Sequence, residues 1–144
     1  MRKIVKLSVC MLAVLMLVSA AHAATHQGKK VLFIDSYHGG YPWSDGIAAG
    51  VKRTLADSGA ELKIIHMDTK RNKGEAFKQE AAAKAKAVIE AFQPDVVIAA
   101  DDNASKYLIK PHYKDASLPF VFCGVNWDAS NYGYPYSNVT GMVE

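Results

Sequence analysis

The sequence predicts an α/β protein, a three-layer sandwich around a mostly parallel, five-stranded sheet. Two observations carry that prediction. Short runs such as V-L-F-I at 31–34 and V-V-I-A-A at 96–100 are apolar at every position, as strands buried on both faces must be. The segments between them place apolar residues at helical spacing, so strands and helices take turns, which implies parallel strands, right-handed crossovers and helices on both faces.

Residues 25–30 are a polar lead-in to the first strand, 31–34. That strand breaks into a loop carrying Ser36, Tyr37, His38, Tyr41 and Trp43, with Gly39, Gly40 and Pro42 between them. Ile47, Val51 and Leu55 then recur every four residues and predict a first helix over 43–58, stopped by Gly59. Pro42 falls near its first turn, where a missing N–H costs little. Residues 62–67, with β-branched Ile64 and Ile65, read as the second strand. A polar connector, 68–74, carries Lys70, Arg71 and Lys73.

Phe77, Ala81, Ala85, Val88 and Phe92 trace one stripe of a long second helix closed by Pro94, with Lys78, Lys84, Lys86 and Glu90 on its other face. The third strand, 96–100, ends in Asp101-Asp102-Asn103, and a short helix over 104–109 is ended by Pro111. A fourth strand, 118–122, tolerates Pro119 at its entry. Residues 124–137 are turn-rich, and Tyr132, Tyr134 and Tyr136 alternate there like an exposed edge segment; 138–142 is a final short strand.

The first residues bear on compartment. Arg2, Lys3 and Lys6 precede an apolar run, 9–18, and Ala21-His22-Ala23 has the small-x-small pattern of a cleavage site, so residues 1–23 read as a secretory signal peptide and an extracytoplasmic, periplasmic location is expected. The apolar run is shorter than the roughly 20 residues a membrane span needs. Cys10 lies inside that run, after the bulky Val9, which argues against lipid attachment there. The chain has 17 Lys+Arg against 14 Asp+Glu, and removing three bases with the leader leaves 17 − 3 = 14 against 14. A neutral mature protein gives no reason to expect nucleic acid or an anionic membrane as partner. Cys123 is then the lone cysteine, expected as a buried, inert thiol.

Parallel strands point their carboxyl ends one way, so the loops after strands one, three and four should meet at one sheet edge. Tyr37, Tyr41, Trp43 and Trp127 offer aromatic faces there, while Asp101, Asp102, Asn103, Asn126 and Asp128 can hydrogen-bond polar groups, and paired aspartates suit an ammonium. Two plainer roles stand beside these: Tyr41-Pro42-Trp43 as a plug over the first helix, and one of residues 101–103 as cap of the third. Metal binding is not expected, because His38, His66 and His112 lie far apart and no cysteine pair exists. No G-x-S-x-G, G-x-G-x-x-G or P-loop is present, so neither nucleophilic catalysis nor a nucleotide cofactor is expected.

The runs V-L-F-I-D-S-Y-H-G-G-Y-P-W-S-D-G-I-A-A-G-V (31–51), P-D-V-V-I-A-A-D-D-N-A (94–104), L-P-F-V-F-C-G-V-N-W-D (118–128) and N-V-T-G (138–141) resemble, in order and spacing, the ABC-transporter substrate-binding protein family. That resemblance implies a Rossmann-like lobe of the type I periplasmic binding fold, with ligand held between two lobes. It places binding on Ser36, Tyr37, Asp101, Asp102, Asn103, Asn126 and Trp127; with His38, Tyr41 and Trp43 of the aromatic loop these make up the expected ligand site, and no cofactor is expected. Asp101-Asp102 and Asn126-Trp127 depart from the Gly-Thr and Asp-Pro turns of many members, so no relative's ligand is carried over. Since N-V-T-G usually precedes the crossover to a second lobe, residues 24–144 are expected to be the amino-terminal lobe alone. The expected role is a non-enzymatic solute-binding protein that delivers a small organic molecule to ABC-transporter membrane subunits. The alternatives are an extracellular sensing domain of a membrane signalling protein and, further off, a compact flavodoxin-like enzyme.

Overall fold

The computed structural model describes residues 26–144; the expected leader, with Cys10, lies outside the described residues. Five strands, β1 (Lys30–Asp35), β2 (Glu61–His66), β3 (Val96–Ala100), β4 (Phe120–Val125) and β5 (Val139–Val143), form one sheet in the order β2-β1-β3-β4-β5. Every ladder is parallel. The winding direction reverses between β1 and β3, and the carboxyl ends of those two strands flank the crevice where sheets of this order hold ligands.

Helices cover both faces because strand side chains alternate between them. Leu32, Ile34, Val97, Ala99, Phe120 and Phe122 pack with Ala81, Ala82, Ala85 and Ile89 of α2 (Glu75–Phe92). On the opposite face Phe33, Ile98 and Ala100 meet Ile47, Ala48 and Val51 of α1 (Pro42–Leu55). The result is a three-layer, Rossmann-like α/β sandwich, as the alternation of apolar runs and helical stripes requires. Among the described residues no helix is long and apolar enough to cross a membrane.

Several boundaries differ from expectation. The third helical segment, α3, runs over 101–112: one turn at Asp101–Asn103, a π-helical stretch at Ala104–Ile109 and a last turn at Lys110–His112. The Lys110 N–H bonds to the Ser105 carbonyl, five residues back. Pro111, which has no N–H to offer, thus enters where the ladder has already changed register, and it does not end the helix as expected. α1 stops at Leu55, short of 58. β4 starts at Phe120 rather than at 118, with the Leu118 carbonyl accepting the Asn138 side-chain amide instead. It also runs on to Val125, past a register shift between Phe122 and Val125, so Gly124 belongs to the strand and not to the following loop.

The alternating tyrosines are not an exposed edge. Tyr134 and Tyr136 are buried in the α2 face of the core, with Tyr134 stacked on Phe122 at 4.8 Å and meeting Tyr136 edge-on at 5.2 Å. The period of two was real, but it marks a segment laid with its ring-bearing side inward. Beside it, Gly141 of N-V-T-G is required by packing: a Cβ there would overlap the Phe122 carbonyl oxygen and ring.

Candidate functional site at the carboxyl edge of the sheet

The site is organised around a residue the sequence reading passed over. Asp35, the last residue of β1, is fully buried and its side chain makes three hydrogen bonds. Its Oδ1 accepts from the Ser44 hydroxyl at 2.9 Å and the Tyr37 N–H at 3.2 Å, and its Oδ2 pairs with His66 Nδ1 at 2.7 Å. A buried carboxylate persists only when so partnered. Ser44 comes from the first turn of α1 and His66 from the end of β2, so Asp35 ties three elements together. The signal was available as an aspartate closing an all-apolar run, V-L-F-I-D.

Ser36 is also fully buried, and both hydrogen-bonding capacities of its hydroxyl are used within the fold. It donates to the Ala100 carbonyl at 2.5 Å and accepts the Ala104 N–H at 2.8 Å. The expected cap of α3 is therefore supplied by Ser36 from a neighbouring strand end, not by one of residues 101–103. The Ser36 carbonyl accepts the Thr69 hydroxyl at 2.5 Å, and Thr69 accepts the Asn103 amide at 2.8 Å. The Tyr37 carbonyl accepts the Asp68 N–H at 2.6 Å. These bonds stitch the β1–α1 and β2–α2 loops together, so Ser36 and Asn103 position the site.

Asp101 lies across the crevice at the end of β3. It is buried at 2 % exposure and holds left-handed backbone, φ 70°. Such a conformation costs a non-glycine residue about 1–2 kcal/mol and collects at functional sites. Its Oδ1 accepts the Trp43 indole N–H at 3.0 Å, whereas its Oδ2 is buried without a hydrogen-bond partner. Burial drives its carboxyl up to about 7; the Trp43 bond opposes this, and nearby Asp35 and Asp102 add to it. Gly124 completes the corner at φ +65, where a Cβ would stand 3.4 Å from both Asp101 Oδ1 and the Trp43 ring. Trp43 is thus neither a simple plug nor a free ring: one edge is tied to Asp101 and it remains 38 % exposed.

Asp102 is committed to the β4 loop, accepting from the Asn126 N–H at 3.1 Å and the Asn126 side-chain amide at 2.6 Å. The next residue, Trp127, takes left-handed backbone at φ 66° and leaves its ring 87 % exposed. On the β1 side, Tyr37 and Tyr41 meet edge-on at 5.6 Å, and His38 tilts against Tyr41 at 5.7 Å. Burial, followed by the charges of Asp101 and Asp102, raises the Tyr37 phenol above its ordinary value. Lys70, absent from the sequence-level candidates, sets its ammonium over both rings. Nothing in the spacing could have placed it there, because it arrives through the stitching of the two loops.

The predicted residues therefore converge in two groups, Trp43–Asp101 with Asp102–Asn126 on one side and Tyr37, His38 and Tyr41 on the other. Cavities lie outside them, one of about 360 Å³ between α2 and α3 around Glu75, Tyr107 and His112 and two that border the sheet. One of about 240 Å³ opens between β2 and α2, lined by Ile65, Met67 and Phe77 and touching His66 and Asp68. Another of about 420 Å³ sits at the opposite sheet edge around His26, Leu55 and Asp95. Cys123 is half-buried rather than buried as expected, and burial, then Asp101 and Asp35, push its thiol up to about 11, away from the thiolate form. Among the described residues no cluster of His, Cys, Asp and Glu could hold a metal ion.

Chemically, this edge offers aromatic faces, carboxylate acceptors and one buried acceptor atom without a donor. Ser44, Asp35 and His66 do not form a nucleophile relay, because the carboxylate lies between the hydroxyl and the imidazole and both bond to it. No family model matches the chain, and neither a curated protein nor a solved structure does.

Proposed function

We propose that this chain is a non-enzymatic binding lobe that holds a small organic solute at the carboxyl edge of its sheet, between the Tyr37–Tyr41 corner and the Trp43–Asp101 pair, with Trp127 at the rim. One observation carries the reading most: at the point where strand order reverses, Asp101 is held in strained backbone with a buried, unpartnered carboxylate oxygen beside a tethered tryptophan. The chemistry supports a donor-bearing, partly apolar ligand that stacks on indole or phenol faces and presents an N–H or O–H to the carboxylates. The commitment of the Ser44 hydroxyl to Asp35 rather than to an imidazole favours binding over turnover. In this reading the ledge is one wall of a cleft, a second lobe supplies the other by hinge closure, and the complex passes its solute to a membrane transporter outside the cytoplasm.

A thermal-shift screen against amino acids, nucleosides and small amines tests the proposal. A stabilising solute whose effect disappears in Trp43→Ala or Trp127→Ala is expected. A well-folded protein that no such solute stabilises would overturn it. Residues 26–144 by themselves present one wall and leave much of a ligand in water, so affinity for these residues taken alone is expected near the millimolar range, about 4 kcal/mol of binding free energy.

A further inference from the structure

We propose that Tyr37 and Tyr41 form the subsite for an organic ammonium group, methylated or quaternary, and that the Lys70 side chain is its built-in occupant. This deepens the reading of the edge as a solute site and rests on it. The Lys70 Nζ stands 4.7 Å from the Tyr37 ring centre and 5.1 Å from that of Tyr41. The two rings meet at 81°, so together they make a corner rather than a flat face. Lys30, Lys63, Lys78, Lys106 and Lys114 each lie over a single ring. A cation in reach of two ring quadrupoles is held more strongly than one over a single exposed ring, and a methylated ammonium loses less hydration than a lysine on entering such a corner.

The surroundings of Lys70 make it displaceable. Arg71, its neighbour, binds Asp68 with both Nε and Nη2, at 2.7 and 2.9 Å, so the Asp68 carboxylate of the same loop is already paired. Lys70 belongs to none of the ion pairs found among the described residues. It is exposed, held by the rings and the general field alone. The carboxyl groups of Asp101, Asp102 and Asp35 all bear on Tyr37, that of Asp101 in full only above about pH 7, and Asp101 keeps a buried oxygen without a hydrogen-bond partner. A ligand cation would thus replace an equal charge already tolerated there. The lysine sets a threshold that a weak or poorly shaped cation does not pass.

The test titrates tetramethylammonium chloride into the protein while ring resonances of Tyr37 and Tyr41 are followed by NMR. Sodium chloride serves as the ionic control and tert-butanol as the neutral control of similar shape. Saturable shifts specific to tetramethylammonium are expected, with affinity about two- to fivefold higher in Lys70→Ala. They should vanish in Tyr41→Leu, which keeps the bulk, and return in Tyr41→Phe, which keeps the ring. Unchanged affinity in Lys70→Ala, or equal shifts with tert-butanol, would overturn the ammonium subsite. If a screened solute binds at Trp43 and tetramethylammonium does not, the subsite falls and the wider reading stands; if neither binds, both fall.

Discussion

A carboxylate removed from water survives only when its oxygens are occupied, and at Asp35 they are, by Ser44, His66 and the Tyr37 amide. Asp35→Ala would leave a buried hydroxyl and an imidazole without their acceptor, and a loss of about 3 kcal/mol in urea unfolding is expected. Asp101 makes the opposite case, a carboxyl that burial holds protonated up to about 7. Its folded value lies above its unfolded one, so the native state binds the extra proton between roughly pH 4 and 7. Stability should therefore fall as pH rises through that window and level off above it. Asp101→Asn keeps an acceptor for Trp43 and removes the charge, so it should flatten this part of the pH–stability curve and gain on the order of 1 kcal/mol at pH 8. A curve unchanged by the substitution would contradict this assignment. Of these residues, Asp101 was legible from its place after an apolar strand; Asp35 was equally visible but fell between the expected strand, 31–34, and the loop residues from Ser36, because nothing local shows that Ser44 of α1 and His66 of β2 would come to bond to it.

At the scale of elements, the strands and the two long helices were legible because burial on both faces leaves uninterrupted apolar runs and amphipathic stripes leave a helical period. What escaped depended on contacts between elements. The extent of α3 is set by a π-helical turn and by Ser36 capping from just beyond β1, neither of which has a local signal. The tyrosines of 132–136 showed the right period with the wrong face inward, since alternation alone does not say which side meets a core. Glycines divide in the same way. Gly46 sits in α1 with nothing near its missing Cβ, while Gly141 lies against the backbone of β4. Gly46→Ala should stabilise by about 0.5–1 kcal/mol through helix propensity, and Gly141→Ala should destabilise by about 2 kcal/mol or more by forcing β5 away from Phe122. Chemical denaturation of the two variants checks both, and equal effects would show that β5 is not held as described.

For the whole molecule, the sheet order decides where function can lie, because reversal between β1 and β3 opens one crevice and directs three loops to it. The sequence foretold that convergence from topology, and the loops do meet there. It could not foretell the internal division of labour, in which Ser36 and Asn103 build the ledge while Trp43, Trp127, Tyr37 and Tyr41 furnish it. Both tryptophans of the chain stand at this edge, so tryptophan emission reports on the site without any label. The most direct measurement is a fluorescence titration with whichever solute raises the melting temperature. A saturable change in intensity or a shift to shorter wavelength, tracking the stabilisation and reduced by about half or more in Trp127→Ala, is the expected result. A solute that stabilises the protein while leaving tryptophan emission untouched would place the site elsewhere and contradict the assignment.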